Sequence, residues 1–224
     1  MIYIAPSILA ADYASLGADV RKVPNADLLH VDIMDGHFVP NLSFGPDVTK
    51  AVDGVTDQFL DMHLMIEEPE RWFETYANAG GDRLVFHVEA AVDHIAAARQ
   101  CHDLGVQAGF AIKPGTDIAP YLDDLEHFDE VLVMSVEPGF GGQKFMPEVL
   151  SKVMMLRDRI AADGLQTLIG IDGGIASATI SQAAQAGVDA FVAGSAVFGA
   201  DNPGEAVEVL RQLAVDAAGE QAGS

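Results

Sequence analysis

Two strand-like runs carry ionisable side chains at alternate positions, His30-Val31-Asp32-Ile33-Met34-Asp35-Gly36-His37 and Asp61-Met62-His63-Leu64-Met65. Side chains of a strand alternate between faces. His30, Asp32 and Met34 therefore share one face of the first run, and Asp61, His63 and Met65 share one face of the second. Imidazole and carboxylate groups set among Val, Ile and Leu are costly to bury without partners, which a metal ion or charge-transfer chemistry supplies. His30, Asp32 and His63, joined by Asp172 of Ile171-Asp172-Gly173-Gly174, form a mixed nitrogen and oxygen set suited to Zn²⁺, Fe²⁺, Mn²⁺ or Co²⁺. A single His-x-Asp is equally explained by a satisfied core network, and an Asp before two glycines by a turn. The repetition at strand ends is what favours a site.

Asp32 and Asp172 also suit acid–base work. They come from strands well apart in the chain and can face each other with a substrate between them. Such a pair removes a proton on one side of a carbon and returns it on the other. A positioned acid or base is worth roughly 10²–10⁴-fold. A bound ion stabilises the oxyanion of an enediolate.

Three glycine-bearing turns follow late strand candidates: Pro138-Gly139-Phe140-Gly141-Gly142-Gln143-Lys144, Asp172-Gly173-Gly174 and Ala193-Gly194-Ser195-Ala196. Glycines let backbone N–H groups close on an anion, and a helix N-terminus adds its dipole. The chain has 34 Asp and Glu against 12 Lys and Arg, a net charge of −22, so a phosphate here has to be held mainly by the main chain. The same imbalance excludes a nucleic-acid partner, since phosphate backbones require basic patches. Met34, Met65 and Met134 sit at or near strand ends. Methionine there is ordinarily core filler, and it also suits a soft apolar collar that keeps water from a reacting carbon. Ser7 is placed either to hydrogen-bond a substrate or to cap a turn. His87 and Glu89 alternate on a strand as supporting or core polar groups, and Lys113 is expected to be ion-paired at a rim. Cys101, the one cysteine, lies among Ala97, Ala98 and Leu104 as a core residue, which excludes an internal disulfide. His37, His94, His102 and His127 have no partner pattern and read as structural.

Positioning these groups requires strands whose ends converge. Apolar runs at Ile2–Ala5, Leu28–Ile33, Phe59–Met65, Leu84–Val88, Gln107–Ile112, Glu130–Met134, Thr167–Ile171 and Ala190–Ala193 read as buried parallel strands. Helical stretches lie between them. Pro69-Glu70 opens one that ends at Gly80-Gly81, and Pro147-Glu148 opens another with Val149, Val153, Leu156 and Ile160 on one face and a stop at Gly164. Ile175 to Ala186 forms a third, and a last one follows Pro203-Gly204. The pattern predicts a single-domain (β/α)₈ barrel over residues 1–216, ahead of a doubly wound open sheet, with a small, polar tail at 217–224 expected to fray. No window approaches a membrane span. The first residues lack the basic and apolar segments of a signal peptide, so a cytoplasmic location is the expectation.

Taken together, the run from His30 to Asn41, Asp61 to Met65, Ala111-Ile112-Lys113-Pro114-Gly115-Thr116 and Val136-Glu137-Pro138-Gly139-Phe140-Gly141-Gly142-Gln143-Lys144-Phe145 closely resemble the ribulose-phosphate 3-epimerase family. The resemblance covers nearly the whole chain. It implies a (β/α)₈ barrel that interconverts D-ribulose 5-phosphate and D-xylulose 5-phosphate with one divalent metal ion, and a homo-oligomer. It makes His30, Asp32, His63 and Asp172 the ligands and Asp32 and Asp172 the acid and base. Ser7 and His63 would touch substrate, and Gly139, Phe140, Gly141, Gly142, Gly173, Gly174, Gly194 and Ser195 would hold its phosphate. One departure is Gly170-Ile171 ahead of the Asp-Gly-Gly turn, where family members often have Glu and Val. A 3-epimerase of a six-carbon ketose phosphate such as allulose 6-phosphate is the nearest alternative. A phosphate-barrel decarboxylase would need Asp-x-Lys-x-x-Asp, where this chain has Met34 and His37. A non-catalytic sugar-phosphate-binding barrel would be expected to have lost a carboxylate, and both are present.

Overall fold

The computed structural model describes residues 1–222, and side chains to residue 219. The chain runs β1 (Tyr3–Pro6), α1 (Leu16–Val20), β2 (Leu28–Met34), α2 (Pro46–Asp53), β3 (Phe59–Met65), α3 (Phe73–Asn78), β4 (Arg83–His87), α4 (His94–Asp103) and β5 (Gln107–Ile112). It continues with β6 (Glu130–Met134), α5 (Leu150–Asp163), β7 (Leu168–Asp172), α6 (Ile180–Ala186), β8 (Ala190–Ala193), α7 (Ser195–Phe198) and α8 (Pro203–Ala222). A 3₁₀ stretch, Ala119–His127, stands between β5 and β6. All strands pair in parallel in the order β1-β8-β7-β6-β5-β4-β3-β2. The seam between β1 and β2 is joined by one bridge, Ser7 to His30, which makes a nearly closed (β/α)₈ barrel.

Outward-facing strand residues such as Leu29, Val31, Leu60, Phe86 and Ile169 pack against the helices in the main core. Inward-facing residues form a second, smaller cluster around Val85, Ala111, Leu132 and Val192. Alternation leaves room inside for a charged layer. Arg83 Nε donates to Asp61 Oδ1 at 2.7 Å and lies 2.9 Å from Glu130 Oε2, with the Phe59 ring 5.3 Å from the guanidinium. The Glu130 side chain occupies the space inside β7 at Gly170, where an added Cβ would collide with Glu130 Oε1 and sit 2.9 Å from Leu132 Cδ1. That explains the glycine: the carboxylate reaches this part of the barrel from β6 instead.

Several elements differ from the sequence reading. The helix expected from Ile175 begins at Ile180, because Thr179 Oγ1 donates to Gly174 O and accepts from Ala176 N, holding residues 175–179 as a turn. Pro69 opens a 3₁₀ turn, Pro69–Arg71, ahead of α3. The C-terminal helix passes the boundary drawn at Ala217: residues 217–222 remain helical and Ala217 is buried in the core. Residues 223–224 lie outside the described residues. Among the described residues no helix is long and apolar enough to cross a membrane.

The crowding at Gly170 yields a test. Gly170→Ala should lower the stability read from urea unfolding by about 1–3 kcal/mol, the usual range for overpacking a filled core. An unchanged midpoint would mean that Glu130 has another place to go.

Candidate active site

The β2–β3 register sets His30 beside Asp61 and Asp32 beside His63, all facing the barrel interior. Asp172, the last residue of β7, reaches the same point from across the seam strands β1 and β8. One ligand atom from each of His30, Asp32, His63 and Asp172 lies within 4.8 Å of the others. His63 Nδ1 is 3.2 Å from Asp32 Oδ1 and 3.5 Å from Asp172 Oδ2. His30 Nε2 is 3.5 Å from Asp32 Oδ1 and 3.3 Å from His63 Nδ1.

Whether these groups fit a cation can be judged from what their outer atoms do. His30 Nδ1 lies 2.8 Å from Asp61 Oδ2, a carboxylate that can only accept when ionised, so this nitrogen carries the proton and Nε2 offers its lone pair inward. His63 turns Nε2 outward to His87 Nε2 at 2.9 Å and Nδ1 inward. Two imidazole nitrogens and two carboxylates thus converge, with the outer nitrogens of both imidazoles already engaged, the donor set and outer support expected around a divalent ion.

Strand ends are pinned around this point. Ser7 Oγ donates to Asp32 Oδ2 at 2.5 Å and accepts from Leu9 N, so it caps a turn and touches a candidate ligand at once. Ser43 Oγ donates to the Asp32 carbonyl and accepts from Met34 N. Ser135 Oγ donates to the carbonyls of Asp172 and Gly173 at 2.9 and 2.7 Å.

Above the cluster opens a cavity of about 670 Å³. Ser7, Asp32, Asp172, Met34, Met65 and Met134 form its floor and walls, and Gly139, Phe140, Gly141, Gly142, Gly173, Gly174, Gly194 and Ser195 line its rim. Its described lining contains neither Lys nor Arg. Gly174 has φ +63°, and a Cβ there would lie 2.6 Å from Phe145 N, so the turn after β7 requires glycine. Asn41 Nδ2 donates to Gly139 O at 2.9 Å and ties the loop after β2 to the loop after β6.

Among the described residues Lys113 does not make the ion pair expected of it. Its Nζ sits 3.9 Å from the centre of the Phe38 ring, a cation–π contact, and Glu89 is taken up by the Lys113 backbone N–H instead. Cys101 is buried in the core, and burial pushes its thiol up to about 12. Asp61, Arg83, Glu130, Ser43, Ser135 and the cavity residue Tyr13 went unassigned in the sequence reading. For Asp61 a signal exists, its alternation with His63; the others depend on lateral contacts between strands and loops.

Comparison with known proteins places this geometry. The profile described as the ribulose-phosphate 3 epimerase family matches residues 3–198. Similar chains named ribulose-phosphate 3-epimerase include one from Mycobacterium tuberculosis, 56% identical over 211 residues, covering 94% of this chain and 92% of that one. Another, from Bacillus subtilis, is 42% identical over 214 residues, covering 94% and 99%. Among solved structures, KGPDC from Streptococcus mutans superposes with a TM-score of 0.73 at 13% identity, over 97% of this chain and 99% of that one. A 3-hexulose-6-phosphate synthase superposes with a TM-score of 0.67 at 19% identity, over 95% and 99%. At those identities the structural likeness speaks for the barrel alone.

The electrostatics bear on ion binding. Burial opposes charge on His30, yet Asp32 and Asp61 hold its pKa well above the ordinary imidazole value. Burial likewise opposes charge on His63, and Asp172 and Asp32 outweigh it. Asp32 and Asp61 are held low despite burial, Asp32 by His30 and His63, Asp61 by Arg83 and His30. Burial pushes Glu130 up to about 7 with Arg83 opposing, and pushes His87 down to about 4 with Glu89 opposing. With raised pKa values, His30 and His63 retain protons into the neutral range when no ion is bound, and those protons must leave when one binds. Divalent-ion affinity, read by chelator competition, should therefore weaken as pH falls from about 8 to about 6, by up to about tenfold per pH unit for each proton displaced. A flat profile would contradict ligation by these imidazoles.

Proposed function

The chain belongs to the ribulose-phosphate 3-epimerase family, and from that premise we propose that it interconverts D-ribulose 5-phosphate and D-xylulose 5-phosphate by moving protons at C3 between Asp32 and Asp172. The observation that carries this reading is the meeting of two carboxylates, from strands separated by β1 and β8, beneath one cavity. Each carboxylate has an oxygen beside the imidazoles and a second one. Asp32 Oδ2 takes the Ser7 hydroxyl, and Asp172 Oδ1 is the atom turned from the closest imidazole contacts.

In the proposed reaction one carboxylate takes the C3 proton and the other delivers a proton to the opposite face, their roles exchanging in the reverse direction. His30, Asp32, His63 and Asp172 would hold one divalent ion, Zn²⁺, Fe²⁺, Mn²⁺ or Co²⁺. When bound, it supplies positive charge against the substrate oxygens that become negative as the proton leaves. Ser7 orients the sugar; His63, expected to touch substrate as well, is fully buried and outside the cavity lining, so its part is confined to the ion site. Backbone N–H groups of Gly139–Gly142, Gly173, Gly174, Gly194 and Ser195 hold the phosphate, which a cavity lined by neither Lys nor Arg requires. Met34, Met65 and Met134 exclude water from the carbanion-like intermediate.

Two measurements test the reading. The kcat/KM for D-ribulose 5-phosphate should exceed that for allulose 6-phosphate; the reverse order would reassign the substrate. Asp172→Asn should still bind the five-carbon sugar phosphate while losing about 10²–10⁴-fold in kcat. Normal turnover by that variant would remove Asp172 from the acid–base pair.

A further inference from the structure

We infer that His87 and Glu89 are positioning residues for the ion site, locking His63 into the one tautomer that turns the Nδ1 lone pair toward Asp32, Asp172 and His30. The inference rests on the ion-binding reading above and adds to it two residues that touch neither ion nor substrate.

His87 is the last residue of β4, fully buried, with its ring stacked on His63 at 5.1 Å between centres. Phe38 covers it at 4.8 Å between centres. The two Nε2 atoms face each other at 2.9 Å, a separation at which they share a single proton. If His87 holds it, His63 Nε2 must accept, and the His63 proton is forced onto Nδ1, where it would fill the cluster's centre and leave no lone pair for an ion. If His63 holds it, Nδ1 is free. Glu89 decides between the two. Its Oε2 lies 3.1 Å from His87 Nδ1 and can only accept there, so a neutral His87 carries its proton on Nδ1 and presents a bare Nε2 to His63.

Glu89 is itself fixed. Its Oε1 accepts the Lys113 backbone N–H at 2.8 Å and the Thr116 hydroxyl at 2.6 Å, which anchors the carboxylate to the end of β5. A direct partner does the same work for His30, whose outer nitrogen meets Asp61 at 2.8 Å. For His63 the outer nitrogen meets an imidazole instead, and that imidazole carries the orientation across from Glu89.

The test compares Zn²⁺ affinity, by chelator competition, in the wild type and in His87→Leu, His87→Gln and Glu89→Leu, alongside nitrogen NMR of histidine-labelled, Zn²⁺-loaded wild type. His87→Leu removes the acceptor and should weaken binding by about 10–100-fold, the usual effect of losing such an outer partner. His87→Gln can present an amide oxygen to His63 Nε2–H and should recover most of that loss, which a merely structural role would not predict. Glu89→Leu, at the barrel's edge, should also weaken binding and serves if His87→Leu does not fold. The spectrum should show His63 protonated at Nε2 and His87 at Nδ1. Unchanged affinity in the folded Leu variants, equal loss in the Gln and Leu variants at 87, or a proton on His63 Nδ1 would overturn the inference while leaving the ion site standing. A wild type that binds no Zn²⁺ would overturn both.

Discussion

Four ligand atoms from His30, Asp32, His63 and Asp172 within 4.8 Å of one another impose the constraint around which the rest of the barrel is arranged. Like charges and facing lone pairs at that spacing, in a largely buried place, are unfavourable unless each outer atom is satisfied and the centre receives a cation. The surrounding structure meets the first requirement for His30, His63 and Asp32, and for Asp172 it fixes the main chain. Asp61 engages His30, His87 engages His63, Ser7 engages Asp32, and Ser135 holds the main chain at Asp172. Asp61 in turn needs Arg83, and Arg83 needs the space beside Glu130 that Gly170 leaves open. A layer of buried charge at the base of the barrel thus follows from the demands of the site at its mouth.

The side of the cavity proposed to hold the phosphate follows the opposite logic. A chain with a net charge of −22 offers an anion no general attraction, and the cavity lining adds no Lys or Arg. The turns after β6, β7 and β8 instead bring glycine backbone to the rim. Binding by main-chain dipoles is local and short in range, so it works inside a strongly acidic protein where long-range steering would not.

Three members of the four-residue cluster were readable in the sequence because alternation on a strand is a local property: His30 and Asp32 mark one face of β2, and His63 marks one face of β3. Asp172 and the glycine turns were readable because barrel chemistry gathers at strand ends. What escaped depends on lateral register. Nothing near Arg83 in the chain says that it meets both Asp61 and Glu130, and the unusual Gly170 makes sense only once Glu130 is seen filling its place. The late start of α6 at Ile180 hinges on one threonine side chain that competes for backbone groups, and the Lys113 contact with Phe38 joins loops far apart in sequence. The continuation of α8 past Ala217 reflects tertiary burial overriding a composition that looks like a tail.

Two opposed carboxylates, and not a single one, are proposed to handle the proton at the reacting carbon. The most direct measurement is the fate of hydrogen at C3 when D-ribulose 5-phosphate is turned over in deuterated water and stopped early. The account predicts D-xylulose 5-phosphate carrying solvent deuterium at C3, with unreacted substrate still protonated. Product that retains the substrate's own hydrogen would show one group carrying the proton from face to face, and would contradict it.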